Sequence, residues 1–212
     1  MDRNPLATCK TLIKTPMGKI MRRFITGSVV LAGLAVMPAA GFAAETYAID
    51  PQHVWVTFAI KHGPWATVLG RFDKASGEIV FDRDDVTKSS VKATVDAKTI
   101  NTNFARRDAD LRGPDFLNAA EFPAITFVST KIEKTGDNTG TITGNLTLTG
   151  ITKPVALKAT FAGEAPMGLT NHVGFSAAGE IDINDFQMKK AIQFRFGPKI
   201  EIRIEAEANK KK

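Results

Sequence analysis

The feature that most constrains the fold is an alternation of apolar and polar residues that recurs in segments after residue 44. Three segments show it clearly: "VWVTFAIK" (54–61), "SVKATVDAK" (90–98) and "IEIRIEAEA" (200–208). In the first of these, Val56 and Phe58 share one face. A period of two residues is that of a β-strand with one buried and one solvated face.

About eight such segments follow one another, separated by turn-forming pairs such as "GP" at 63–64 and 197–198 and "KP" at 153–154. Strands with one solvated face belong to antiparallel sheets. Because the chain has no series of amphipathic helices to cover a sheet, the strands must close into a barrel or pair as a sandwich. The sequence therefore predicts an all-β fold, and an eight-stranded barrel would enclose either a side-chain core or one small ligand.

One charged segment, "NTNFARRDADLRGPDFLN" (101–118), interrupts the alternation. Its spacing predicts a two-turn helix after the third or fourth strand, capped by Asn103 and laid against the barrel. The face expected to point inward consists of Phe104, Ala105, Asp108, Ala109, Leu111 and Arg112, and the outward face of Arg106, Arg107 and Asp110. The pairs Arg106–Asp110 and Asp108–Arg112 have the spacing of helical ion pairs. Two interpretations stay open: a plug with a structural ion pair, or a lid whose inward cation meets a ligand head group.

Residues 1–43 have the pattern of a secretory signal peptide, with basic residues before an uncharged stretch from Phe24 to Ala44 and small residues at its end. The alternative is an uncleaved membrane anchor, which Pro38 and the Ala/Gly-rich end disfavour. Met17 and Met21 indicate that residues 1–16 can be a mis-assigned start. We therefore predict export to the periplasm, with no stable membrane insertion once the leader is cleaved.

The basic character of the chain belongs mainly to this leader. The pI is about 9.5, but six of the 28 Lys/Arg and one of the 22 Asp/Glu lie in residues 1–43. The remaining 22 basic and 21 acidic residues leave a formal charge of +1. The charge therefore gives no argument for nucleic-acid binding.

The sequence offers few groups for catalysis or metal binding. Cys9, the only cysteine, lies in the leader, so no thiol chemistry is expected after cleavage. His53 and His62 flank one predicted strand but face opposite sides, which disfavours a zinc site. His53 could act as a base oriented by Asp50, although a structural role at a turn is the commoner use of such a histidine. We predict no cofactor and no metal.

An apolar interior with many aromatic residues is the remaining candidate site. A buried CH₂ group contributes about 0.8 kcal/mol, whereas association costs roughly 4–15 kcal/mol. A ligand held mainly by apolar contacts must therefore bury upwards of about ten carbons to bind with micromolar affinity. This favours a long lipid tail over a small metabolite.

Several segments resemble the YceI-like, polyisoprenoid-binding family: "YAIDPQHVWVTFAIKH", "INTNFARRDADLRGPDFLNAAEFPAITFVS", "GNLTLTGITKPVAL" and "GFSAAGEIDINDF". The resemblance implies one domain over residues 44–212 with an extended, eight-stranded, lipocalin-like antiparallel barrel. It implies an exported carrier for a polyprenyl or quinone-like lipid, with no established reaction, and some members are dimers. The positions that match the family's blocks are Asp50, His53, Arg107, Asp108, Leu111, Arg112, Asp115 and Phe116. This chain departs from the family at Asp110, where histidine is common, and at Ile183 and Gln187, where arginine and glycine are common.

Pattern and resemblance together predict the site. The residues expected to contact the lipid chain are Val56, Phe58, Ile60, Phe72, Phe81, Val95, Phe104, Leu111, Phe116, Phe127 and Leu148. The head-group candidates are His53, Arg107, Asp108 and Arg112. Two other hypotheses stay open: an envelope enzyme that uses His53 with Asp50, and a stress-related structural module whose barrel is packed solid.

Overall fold

The computed structural model describes residues 44–188 and 190–212. The predicted leader, residues 1–43, lies outside the described residues. Within them there are two short α-helices, α1 (Ala105–Arg112) and α2 (Lys190–Gln193). The ten described strands are β1 (Glu45–His62), β2 (Ala66–Phe72), β3 (Ala75–Phe81), β4 (Ser90–Asp96), β5 (Ile100–Asn101), β6 (Ala124–Lys134), β7 (Thr139–Leu148), β8 (Ile151–Met167), β9 (Thr170–Asp182) and β10 (Phe196–Lys210).

The strands form a closed antiparallel barrel, which confirms the predicted fold class. Neighbouring strands pair in the order β1-β3-β4-β6-β7-β8-β9-β10, and β10 pairs again with β1. These eight described strands complete the ring, whereas β2 pairs only with β1 and the two-residue β5. Closure leaves the ring without a free edge, which is how a wide antiparallel sheet avoids pairing with other chains.

Strand β1 is long enough to have two different neighbours on one side. Its first residues, Glu45–Ala48, pair with β3, and its last residues, Val56–His62, pair with β2. Between them, the ladder with β10 is irregular from Ile49 to Val54, as expected for a bulge that bends a strand. After β4, the third strand of the ring along the chain, the polypeptide passes through β5 and α1 before it enters β6. The helix α1 therefore follows the third strand of the ring, as predicted.

The barrel has two ends, which we name by the elements that lie there. The helical end carries the β1–β2 turn, α1, the segment 113–123 and the β9–β10 connection with α2. The far end carries the start of β1, the β6–β7 turn and the end of β10. Buried residues cluster towards both: one cluster includes Leu117, Ile183 and Phe186, and the other surrounds Tyr47 and Val173. None of the helices in the described ranges has the length and hydropathy needed to cross a bilayer.

Candidate ligand-binding cavity

The described strands enclose an apolar cavity of about 1210 Å³ that extends along the barrel. Its wall includes Phe116 and Ala191 at the helical end and Phe81 and Phe161 at the far end. Inward-facing side chains along the middle, such as Phe58, are only partly buried because they border this space. The barrel is therefore hollow, which opposes the hypothesis of a solid core.

Most of the residues predicted to contact a lipid chain lie on the cavity wall. The two-residue period places the strand residues there, because alternate residues of each strand face the lumen. Leu111 and Phe116 reach the wall from α1 and from the segment that follows it. Whether they contact a ligand stays a prediction. The residues on the wall are Val56, Phe58, Ile60, Phe72, Phe81, Val95, Leu111, Phe116, Phe127 and Leu148.

Phe104 was wrongly predicted to line the cavity. It precedes the first turn of α1 with extended backbone, and its ring is 58% exposed. The guanidinium of Arg107 lies 5.8 Å from the centre of this ring. Phe104, Asp108 and Arg112 border a shallow surface depression instead of the main cavity. The helical wheel correctly grouped these side chains, but a wheel does not determine which face of a helix meets the barrel.

The opposite face of α1 borders the cavity. Arg106, Arg107 and Asp110, which were expected to point outward, lie on its wall. Ala109 and Leu111, which were expected to point inward, border it as well. Arg107 is held in place because its Nε and Nη2 donate to Thr102 Oγ1 at 2.7 Å and to Thr102 O at 2.8 Å. Of the four predicted head-group residues, Arg107 alone reaches this wall.

Asp108 anchors α1 to the end of β5. Its buried carboxylate accepts hydrogen bonds from the backbone N–H and the hydroxyl of Thr102, at 2.7 and 2.5 Å. Arg112 donates instead to the carbonyl of Lys98 at 3.3 Å. Neither predicted helical ion pair is among those formed by the described residues. The plug interpretation was therefore right about a structural Asp108 but wrong about its partner.

Asn103 does not cap the helix. It adopts a left-handed conformation with φ of 61°, and Phe104 takes the cap position without a side-chain hydrogen bond. A short polar residue such as asparagine tolerates this conformation better than most. The asparagine therefore makes the turn that leads into α1.

Glycines on neighbouring strands let bulky inward side chains lie flat against the wall. A Cβ added to Gly70 would lie 2.2 Å from Cζ of Phe58, its direct cross-strand partner. A Cβ on Gly144 would lie 2.4 Å from Cζ of Phe127. Neither glycine has a positive φ, so each is needed for the close approach of a ring. The sequence reasoning missed these glycines, although a glycine inside an alternating strand signals such an approach.

At the helical end, two segments meet beside the cavity. Lys190 Nζ of α2 lies 2.5 Å from Asp115 Oδ2, and the rings of Phe116 and Phe194 are 6.1 Å apart. All four residues border the cavity. Phe194 is 58% exposed, so the apolar wall continues to the protein surface here.

The far end carries a group of charges that the sequence reasoning did not find. Arg83 forms an ion pair with Glu164, lies 3.7 Å from Glu45, and donates to the hydroxyl of Tyr47 at 2.7 Å. Lys210 lies 2.5 Å from Glu45, and hydrogen bonds from Lys210 and Tyr47 lower the pKa of Glu45. Burial and the hydrogen bond to Glu45 raise the pKa of the fully buried Tyr47 to about 12. These positive and negative groups neutralise one another.

His53 and Asp50 lie outside both cavities. His53 Nδ1 is 2.9 Å from Asp50 Oδ2, which matches the predicted orientation, but the ring is exposed and the pair lies in the bulge of β1. The hydrogen bond with Asp50 and the nearby charge of Glu207 raise the pKa of His53. His62 lies on the cavity wall, so the two histidines do face different sides. In the described part of the chain, no three His, Cys, Asp or Glu side chains form a group suited to a metal ion.

Comparison with known proteins identifies relatives over most of the described chain. Residues 47–208 match the family model described as the YceI-like domain. The protein YceI of Salmonella newport (strain SL254) is 41% identical over 162 residues, which covers 74% of this chain and 83% of that protein.

Solved structures share the barrel. The YceI protein of Campylobacter jejuni has a TM-score of 0.64 and 32% identity, over 72% of this chain and 90% of that one. A domain from Saccharophagus degradans, described as polyisoprenoid binding, has a TM-score of 0.61 over 80% of this chain and 100% of that one. At 12% identity, the second comparison shows a common fold alone.

Proposed function

This chain belongs to the YceI-like family, and we propose that it binds a long-chain isoprenoid lipid, polyprenyl or quinone-like, in its barrel and carries it through the periplasm. The observation that carries the proposal is the continuous apolar cavity of about 1210 Å³. A domain with the same fold is described as polyisoprenoid binding, which supports this class of ligand. The predicted leader supports export.

The volume of the cavity limits the length of the bound chain. If each carbon takes about the 30 Å³ that a water molecule takes in the liquid, the cavity has room for at most roughly 40 carbons. This is well above the roughly ten carbons needed for micromolar binding by apolar contacts. A chain of several isoprenoid units fits both limits.

The charges at the two ends favour one orientation of the ligand. At the far end, Arg83 is already paired with Glu164, and the other charged residues on the wall, Lys134 and Asp137, are opposite in sign, so a charged head group would gain little there. At the helical end, Arg107 borders the cavity, and its guanidinium is held by Thr102 without a carboxylate partner among the described residues. We therefore place the hydrocarbon chain in the lumen and its polar head beside Arg107.

The two alternative functions have less support. An enzyme based on His53 requires a polar concavity around that ring, whereas His53 and Asp50 border neither described cavity. A structural module with a packed barrel requires a filled lumen. A binding role therefore accounts best for the geometry, and we propose that the chain catalyses no reaction.

The test is the identity of any lipid that co-purifies with the protein. Organic extraction followed by mass spectrometry should recover a long-chain isoprenoid from the purified protein. Val56→Trp places a large ring on the cavity wall and should prevent uptake while the barrel still folds. Ala59→Trp is the matched control, because Ala59 lies on the outer face of the same strand. Empty protein that also fails to take up polyprenyl and quinone probes would refute the proposal.

A further inference from the structure

We propose that the helical end docks onto an anionic lipid bilayer through four residues around the cavity entrance: Lys61, Trp65, Phe194 and Arg195. We call these residues the basic-aromatic rim. The inference rests on the proposed lipid-binding function, since it identifies the surface from which the ligand would be collected. It assigns a second binding partner, the bilayer, to a surface beside the lipid-binding cavity.

Trp65 is the central residue of the rim. It lies in the β1–β2 turn, and its side chain is 62% exposed. Its ring contacts His62 at 5.4 Å, and His62 in turn stacks on Phe196 at 4.8 Å. The indole is therefore held by neighbours while most of its surface faces solvent. A tryptophan in this position is suited to the boundary between lipid and water, where its apolar ring and its N–H both find partners.

Arg195 joins the rim from a different part of the chain. Its guanidinium lies 5.7 Å from the centre of the Trp65 ring, and its carbonyl accepts a hydrogen bond from Gly63 N–H at 2.8 Å. This backbone bond ties the β1–β2 turn to the start of β10. A cation beside an aromatic ring allows simultaneous contact with lipid phosphates and with the acyl region.

Phe194 connects the rim to the lumen. It is 58% exposed, borders the cavity, and lies 6.1 Å from Phe116 inside it. An apolar path therefore runs from the exposed rim into the barrel. A hydrocarbon chain that leaves a docked bilayer by this path would contact less water than one that crosses open solvent.

The charge around the entrance matches an anionic surface. The cavity wall at this end carries Arg106, Arg107 and Lys190 against Asp110 and Asp115, and Asp115 is already paired with Lys190. On the rim, Lys61 donates to the Thr67 hydroxyl and Arg195 lies over Trp65. Neither rim cation takes part in an ion pair between described residues. Basic residues near an anionic membrane surface attract it and orient the protein.

The chain contains its own control for this proposal. Trp55 is 53% exposed and has Arg71 at 5.8 Å from its ring, so it repeats the pairing of Trp65 with Arg195. Trp55, however, lies on the outer face of β1 along the side of the barrel, and the entrance lies at its end. If position at the entrance matters, Trp65 and Trp55 should behave differently, although both are exposed and each has an arginine beside its ring. Arg71, unlike Arg195, is also paired with Asp73, so the comparison is made on the two tryptophans and not on the two arginines.

The first experiment uses Trp65 as its own reporter. Because the chain has only two tryptophans, Trp55→Phe leaves Trp65 as the only indole. Its emission should shift to shorter wavelength with vesicles of phosphatidylcholine and phosphatidylglycerol, and less with phosphatidylcholine alone. High salt should reverse the shift, since it screens the attraction. An emission spectrum that neither vesicle changes would overturn the proposal.

The second experiment separates docking from lipid binding. Vesicle co-sedimentation should weaken by about tenfold or more in Trp65→Ala and by about fivefold in Arg195→Gln, whereas Trp55→Ala should bind like the parent. Prenyl lipid supplied from cyclodextrin, without a membrane, should load all three variants equally. Lipid supplied in vesicles should load Trp65→Ala and Arg195→Gln more slowly than Trp55→Ala.

Each other outcome has a definite meaning. Equal vesicle binding by the Trp65→Ala and Trp55→Ala variants overturns the proposal that the basic-aromatic rim docks onto a bilayer, even if both variants take up lipid from cyclodextrin. If the parent protein takes up no prenyl lipid from cyclodextrin, the lipid-binding function is refuted instead. Vesicle binding then still tests whether the basic-aromatic rim docks onto a bilayer. If analytical ultracentrifugation shows self-association that Trp65→Ala abolishes, the rim is an interface between copies of the chain and the bilayer proposal is wrong.

Discussion

Replacing Gly70 with alanine should narrow the lumen without a change in the polarity of the wall. The new Cβ would lie 2.2 Å from Cζ of Phe58 and 2.6 and 2.9 Å from its two Cε atoms. Carbon atoms in contact require about 3.5–4.0 Å. Since the methyl group is fixed to the strand, the Phe58 ring must move by roughly 1.5 Å, and the open side is the lumen.

The expected loss of affinity follows from the volume that the ring takes. A ring displaced by this amount takes from the lumen a volume of roughly two methylene groups. Two methylenes that are no longer buried cost about 1.6 kcal/mol, which corresponds to roughly 15-fold weaker binding of a chain that fills the cavity. Gly70→Ala should change the free energy of unfolding less, because the strain is offset by about 0.5–1 kcal/mol of lower chain entropy in the unfolded state.

The measurement is displacement of a fluorescent prenyl probe by unlabelled prenols, together with urea unfolding. Gly174→Ala is the matched control, since its Cβ would lie at an ordinary 3.4 Å from Ala162 Cβ on the neighbouring strand. Phe58→Leu added to Gly70→Ala should restore binding. Parent-like affinity in Gly70→Ala, or equal weakening in Gly174→Ala, would refute the idea that glycines keep the rings against the wall.

Three further predictions concern groups outside the lumen. Asp108→Ala should lower the free energy of unfolding by about 2–4 kcal/mol, measured in urea, because Thr102 loses the acceptor for two buried donors. His53 should titrate above its ordinary 6.5 by NMR, and Asp50→Asn should lower that pKa. The protonated His53 stabilises the folded chain through its contact with Asp50. Because the folded-state pKa of His53 is raised, this contribution is present below pH 6.5 and is lost as pH rises through the folded-state pKa. Tyr47, the only tyrosine, should ionise near pH 12 in an alkaline absorbance titration, because burial disfavours its anion.

Specific results would contradict each of these. A loss below about 1 kcal/mol in Asp108→Ala would mean that α1 is held by other contacts. A His53 titration that Asp50→Asn does not change would assign the raised pKa to Glu207 alone. A phenol that ionises near pH 10 while the barrel remains folded would show that Tyr47 is accessible to water. Since the raised pKa favours the neutral phenol, its contribution to stability should be fully present below pH 10 and should be lost as pH rises from 10 through the folded-state pKa of about 12.

The alternation of residues was sufficient to predict the strands and their inward faces. Val56 and Phe127 are far apart in the chain, yet both were correctly assigned to the lumen, and the local alternation indicates the inward face at each position. This works because successive side chains of a strand point to opposite sides whatever the partner strand is. The short helix could be predicted for a similar local reason, but its orientation could not, since either face of a charged two-turn helix can meet a barrel.

Only the tertiary structure determined the contacts between segments that are distant in the chain. Phe58 lies flat because Gly70 is opposite it in the register, and Arg83 meets Glu164 because β1, β3 and β8 come together at one end. Likewise, Arg195 reaches Trp65 only through closure of β10 onto β1. The same inward residues could have filled the barrel, and the sequence reasoning left that alternative open. The presence of a hollow depends on register and ring orientation, which are set by packing between strands and not by the order of residues within one.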